Sequence, residues 1–151
     1  MTLIEVEVVK AVAAPVRPAF IKKVVARAAT LPEVAARIGE PVRSIAVRIT
    51  DADELRRLNR TYAGEDHATD VLSFAGEGDH LGDVAISWPA VLKQAREHRH
   101  PAESELALLC VHGLLHLLGW DHATAAQNRE LSRLTVAALD LSGVKLAARR
   151  L

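Results

Sequence analysis

The chain has 151 residues, half of them hydrophobic and a quarter charged, with 19 basic and 19 acidic side chains. This is the composition of one folded domain, 1–151, long enough to bury a core. A single cysteine excludes an internal disulfide framework and fits a reducing cytosol, and a formal charge of zero excludes nucleic-acid binding through the whole surface. No run approaches the roughly 18 apolar residues of a membrane span, and Met1 to Glu7 lacks a signal-peptide pattern. No membrane partner and a cytoplasmic location are therefore expected.

Leu3 to Val9 is rich in β-branched residues and reads as a strand. Ala11 to Pro18 is a connector with two prolines. Pro18 opens a helix through Phe20, Ile21, Val24, Val25 and Ala28, with Arg17, Lys22, Lys23 and Arg27 on a solvated face. Leu31 to Ile38 extends that helix after a break at Pro32. Ile45, Val47 and Ile49 alternate with Ala46 and Arg48 in a second strand, Val42 to Ile49. Asp51 with Glu54 three residues on caps a helix that runs to about Tyr62.

Ala63 to Ala68 is a polar loop. Val71 to Ala75 reads as a buried strand, and Gly82 to Ser87 as the strand that pairs with it in a hairpin. Pro89 opens a helix ending in Arg96, His98, Arg99 and His100. Pro101, with Glu103 and Glu105, starts the next helix. A long helix covers Ala123 to Leu141, Gly143 ends it, and Val144 to Leu151 is a frayed basic tail. This order of elements gives an α+β domain, a small mixed sheet packed by helices. Aromatics are only 3% of the chain, so aliphatic side chains and alanine fill the core.

Chemistry concentrates in His112-Gly113-Leu114-Leu115-His116-Leu117-Leu118-Gly119-Trp120-Asp121-His122. On a helix continuing from Glu105, His112 and His116 lie about 40° apart around the axis and about 6 Å apart along it. Both imidazoles can reach one ion. Gly119 can take positive φ, end the helix and return His122 as a third ligand. Three neutral imidazoles suit zinc, with nickel or cobalt as substitutes, and leave a coordination position open. Metalloproteases of the H-E-x-x-H type carry a glutamate base where this chain has Gly113. Glu105 is either a residue behind the ligands or a helix N-terminal charge, and Asp121 the better candidate to fix the ligand turn. Cys110 reads as a small buried hydrophobe and Trp120 as a packing anchor. His67, His80, His98 and His100 are surface residues by default.

The histidine segment closely resembles the signature of the YbeY family, the metal-dependent endoribonucleases of bacterial ribosomal RNA maturation. Three further blocks agree: Leu58-Asn59-Arg60-Thr61-Tyr62, Thr69-Asp70-Val71-Leu72-Ser73-Phe74, and Leu81-Gly82-Asp83-Val84-Ala85-Ile86-Ser87. The resemblance spans essentially the whole chain. It implies a four-stranded, zincin-like sheet beside the metal helix. It implies one zinc ion on His112, His116 and His122, with metal-activated water attacking a phosphodiester of single-stranded RNA. The substrate would be the 3′ end of small-subunit rRNA, in maturation and ribosome quality control, and the partners the small ribosomal subunit and its assembly proteins.

Two positions depart from the family pattern. Ala63 stands where the family has an arginine used in catalysis or substrate handling, and Ala68 where it has proline. Losing the arginine removes a bidentate phosphate ligand. Arg60 and His67 are the nearest cations in sequence, so the candidates beyond the histidines are Arg60, Ser73 and Asp121. Thr69 belongs to the same matched block as Ser73, and Asp83 reads as a structural residue. Ala63 also motivates a different expectation, a ribosome-assembly binding factor with a structural metal and vestigial catalysis. A hydrolase acting on peptides or small molecules is the third reading, weakened by Gly113.

Overall fold

The computed structural model describes residues 4–151. Strand β1 (Ile4–Lys10) begins the chain; Leu3, expected to start it, lies outside the described residues. Helix α1 (Pro18–Ala28) follows the two-proline connector, with Pro18 in its first turn. Its Ile21, Val24, Val25 and Ala28 are buried, while Arg17, Lys22, Lys23 and Arg27 are exposed. Pro32 starts a separate short helix, α2 (Pro32–Ile38), instead of extending α1.

Strand β2 (Arg43–Thr50) buries Ile45, Val47 and Ile49 as its alternation requires. Asp51 then caps α3 (Ala52–Leu58) by accepting a hydrogen bond from the Glu54 N–H at 2.8 Å. The expected helix to Tyr62 departs from α geometry after Leu58. Asn59–Ala63 is a π-helical turn, closed by Gly64 at φ 71°. The buried Asn59 holds the following loop through a hydrogen bond from its side-chain amide to the His67 carbonyl, 3.1 Å.

Strands β3 (Val71–Ala75) and β4 (His80–Ser87) form the hairpin. The sheet order is β1-β2-β4-β3, with β1, β2 and β4 parallel and β3 antiparallel to β4. β3 is thus an edge strand, half-buried where a buried one was expected. Helix α4 (Trp88–His98) is capped by Ser87. Helix α5 (Ala102–Leu117) touches α1, α4, α6, β3 and β4 and is buried almost throughout, which is why its sequence is apolar all round. Helix α6 (Ala125–Asp140) starts with a capping box between Thr124 and Gln127. One core joins the sheet to α1, α5 and α6.

The segment after Gly143 is not frayed. Val144 is buried, its N–H donates to the Leu139 carbonyl at 3.0 Å, and Leu146 packs on the core. The Ala147 N–H donates to His100 Nδ1 at 3.1 Å. His100, expected at the surface, has a side chain only 4% exposed. Sequence spacing hides this, because the covering segment lies 47 residues further along the chain.

Candidate metal centre

Helix α5 lies against β4 at its glycine. A β-carbon at Gly113 would fall 2.4 Å from Val84 Cγ1, so only glycine permits this approach. Position 113 therefore faces the sheet, while His112 and His116, one residue before and three after, line a cavity. Ser73 ties the edge strand to the same turn of helix: its hydroxyl donates to the Gly113 carbonyl at 3.1 Å.

The helix ends as its sequence demands. Gly119 has φ 96°, its N–H donates to the His116 carbonyl at 3.0 Å, and the Trp120 N–H donates to the Leu115 carbonyl at 3.0 Å. These two bonds are the Schellman closure. Trp120 is buried, and the Arg37 guanidinium lies over its ring at 3.6 Å from the centroid. Arg37 Nη1 also donates to the Leu118 carbonyl at 3.1 Å. The chain thereby doubles back, leaving the His116 and His122 ring centroids 5.4 Å apart.

The cavity holds about 640 Å³ and is walled by His112, His116 and His122 together with Thr69, Asp70, Ser73, Asn128 and Arg150. Two observations bear on whether it can take an ion. Nε2 of His112 is buried with no hydrogen-bond partner among the described residues, a lone pair left for something else. Ligand atoms of His116, Asp121 and His122 lie within 4.8 Å of one another. That second set contains Asp121 and not His112. Asp121 Oδ1 already accepts the His122 backbone N–H at 2.7 Å, and Asp121 does not wall the cavity, so it fits the role of fixing the turn. The three imidazoles share the cavity wall and are nitrogen donors of the kind that suits such an ion.

Electrostatics agrees with that chemistry. Burial first, then the neighbouring His116, Arg150 and His122, lower the His112 pKa to about 4 against the pull of Asp70. Burial and His122 lower that of His116 as well. Both rings are therefore neutral at pH 7 and carry a free lone pair. Burial alone raises the Cys110 thiol to about 12, which leaves it an inert core side chain.

The structure separates the other candidates. Ser73 is at the cavity. Arg60 is not: it is exposed, 4.0 Å from Asp66, which Arg56 holds at 2.8 Å. His67 is also remote and exposed, paired with Glu65 at 2.6 Å. Ala63 ends the exposed π turn. Asp83 faces solvent and pairs with His80 at 3.3 Å. Glu105 stands in the first turn of α5, as one of its two expected roles requires, but it is not a solvent-facing charge. It is fully buried and bound by His100 and Arg150. Arg150 itself, Gln94 and Arg37 carried no local signal, since their partners are distant in sequence.

A mixed four-stranded sheet backing a helix that presents two histidines to a cleft, with a third returned by the helix-ending turn, defines a zincin-like α+β protein. The profile described as Endoribonuclease YbeY matches residues 10–142. Two relatives with that same name are similar to this chain. One, from Roseiflexus castenholzii, is 44% identical over 131 residues, covering 80% of this chain and 79% of the relative. The other, from Chloroflexus aurantiacus, is 45% identical over 113 residues, covering 63% and 73%. A Thermotoga maritima protein solved in solution shares the fold, with a TM-score of 0.59 at 23% identity over 89% of both chains. The chain belongs to the YbeY family.

Proposed function

We propose that residues 1–151 work as one metal-dependent hydrolase domain, an endoribonuclease that cuts single-stranded RNA. The observation that carries this reading is the orphaned His112 Nε2 in a cavity shared with His116 and His122, in a chain whose relatives are named endoribonucleases. The three imidazoles would hold one zinc ion, with nickel or cobalt as substitutes. When bound, the ion would lower the pKa of water to about 7 and polarise a phosphoryl oxygen.

The chain's own residues do the positioning. Gly113 and Ser73 fix the helix against the sheet, so the His112 and His116 rings keep their places. The Gly119 turn and Asp121 hold His122. The apolar wall of Leu109 and Leu131 limits water in the cleft. Position 113 faces Val84, so a protease-like base there would point away from the site. This weighs against the peptide-hydrolase reading.

The substrate we propose is the 3′ end of small-subunit rRNA, processed in the cytoplasm during maturation and quality control, with the small subunit and its assembly proteins as partners. No described helix is long and apolar enough to cross a membrane. Cleavage of a labelled single-stranded RNA, run beside identically purified His116→Ala, tests the activity. Loss of cleavage in the variant supports it; equal cleavage in both assigns the activity to a contaminant. Absence of cleavage in both, with metal bound, favours the second reading, an assembly factor with a structural metal, which Ala63 motivates.

A further inference from the structure

Arg60 and His67, the cations nearest Ala63 in sequence, do not line the cavity. One cation does stand in the cavity wall beside His112: Arg150, contributed by the segment after Gly143. Of the described residues lining the cavity it is the one arginine or lysine.

Its placement is built, not incidental. Arg150 Nε donates to Glu105 Oε1 at 2.9 Å and Nη2 to Glu105 Oε2 at 2.5 Å, a two-point fork on a fully buried carboxylate. Nη2 also donates to Gln94 Oε1 at 3.3 Å, and Gln94 Nε2 donates to Asp70 Oδ2 at 3.2 Å. His100 completes the anchor. Its Nδ1 accepts from the Ala147 N–H, so its Nε2 carries the proton given to Glu105 Oε1 at 2.7 Å. The guanidinium plane is thus fixed on one side, while Nη1 has no hydrogen-bond partner among the described residues. A side chain serving only as a latch needs no face on the cavity. Arg150 lines the cavity that holds His112, His116 and His122, and its Nη1 is unused among the described residues.

We propose that Arg150 binds a phosphate of the RNA backbone beside the three histidines. The inference rests on the RNA reading above. Glu105, His100 and Gln94 are then positioning residues that orient the fork, and the remaining edge meets a non-bridging phosphate oxygen.

The test is binding of a short single-stranded RNA to the full chain by fluorescence anisotropy, with chelator present so that nothing is cleaved, across a salt series. Removing one cation that neutralises a phosphate of a single strand lowers the slope of log affinity against log salt by about 0.7. Arg150→Met should show that drop and bind roughly tenfold more weakly. Arg150→Lys should keep the wild-type slope with intermediate affinity, because it retains the charge and loses the fork. If Arg150→Met does not fold, Glu105→Gln/Arg150→Met removes the buried carboxylate with its partner and carries the same expectation. Wild-type affinity and slope in a folded variant lacking Arg150 would overturn the assignment and leave the RNA reading intact. No RNA binding by the wild-type chain would overturn both.

Discussion

Gly113 sits against Val84, so close that a β-carbon at 113 would fall 2.4 Å from Val84 Cγ1. Val84 is fully buried on β4 and β-branched, so it cannot rotate aside cheaply. The glycine that distinguishes this histidine segment from a protease motif is therefore a packing residue, and it sets the distance between the histidine helix and the sheet. Gly113→Ala gains about 1 kcal/mol of helix propensity, but overpacking costs about 1–3 kcal/mol. The expected net loss is about 1 kcal/mol, a fall of roughly 2–4 °C in melting temperature. In a Val84→Ala background the same substitution should cost nothing. A single variant that melts above the wild type would refute the packing argument.

If the three imidazoles hold one ion, as proposed, stability depends on metal. At an ion concentration of about 100 Kd, binding contributes roughly 2.7 kcal/mol, or about 5–10 °C for a chain of this size. Chelation should therefore lower the melting temperature of the wild-type chain by that amount and leave His112→Ala and His116→Ala unmoved. Elemental analysis should find the ion in the wild type and little in either variant. If the wild type and His112→Ala respond alike, His112 is not a ligand and its unpaired nitrogen needs another account.

Glu105 makes acid stability site-specific. Burial would raise its pKa, but hydrogen bonds from Arg150 and His100 outweigh that and hold it below the ordinary carboxylate value. A carboxylate whose folded pKa is depressed stabilises the fold above its unfolded pKa, about 4.3. That contribution is lost as pH falls from there through the folded value. The wild-type chain should lose stability steeply below about pH 4.5. Glu105→Gln should be weaker at pH 7 and flatter through the acid range, in melts recorded from pH 7 to pH 3. Parallel curves for the two would show that Glu105 does not titrate in this window.

What could be read in the sequence was local. The His112, His116 and Gly119 pattern specifies a helix face and a stop within eight residues, and the structure has that stop at Gly119, closed by two hydrogen bonds. Alternation in β2 and the cap at Asp51 needed no tertiary information either. Relations spanning the chain were not legible. Arg150 meets Glu105 across 45 residues, and a basic segment without periodicity looks frayed until a buried carboxylate is there to receive it. His100 looked exposed for the same reason. The π turn at Asn59 also escaped, because π and α turns share their local propensities and differ in what Asn59 reaches across the loop.

Arg37 belongs with those distant relations: it joins α2 to a carbonyl 81 residues away. It stacks on Trp120 and caps the Leu118 carbonyl, so it clamps the turn that returns His122 from both sides. Stacking by an exposed arginine contributes about 0.5–1 kcal/mol and the hydrogen bond about 1 kcal/mol. Arg37→Ala should therefore lower the melting temperature by roughly 3–8 °C. Because Arg37 touches neither the three histidines nor the cavity wall, its effect on the site runs through the position of His122 alone. Metal affinity, measured by competition with a chromophoric chelator, should fall roughly tenfold or more, as it does when residues behind a ligand are removed. Arg37→Lys should recover little of either, since an ammonium cannot stack flat on the indole while reaching the carbonyl. A loss of stability with metal affinity unchanged would mean that the turn keeps His122 in place without its clamp.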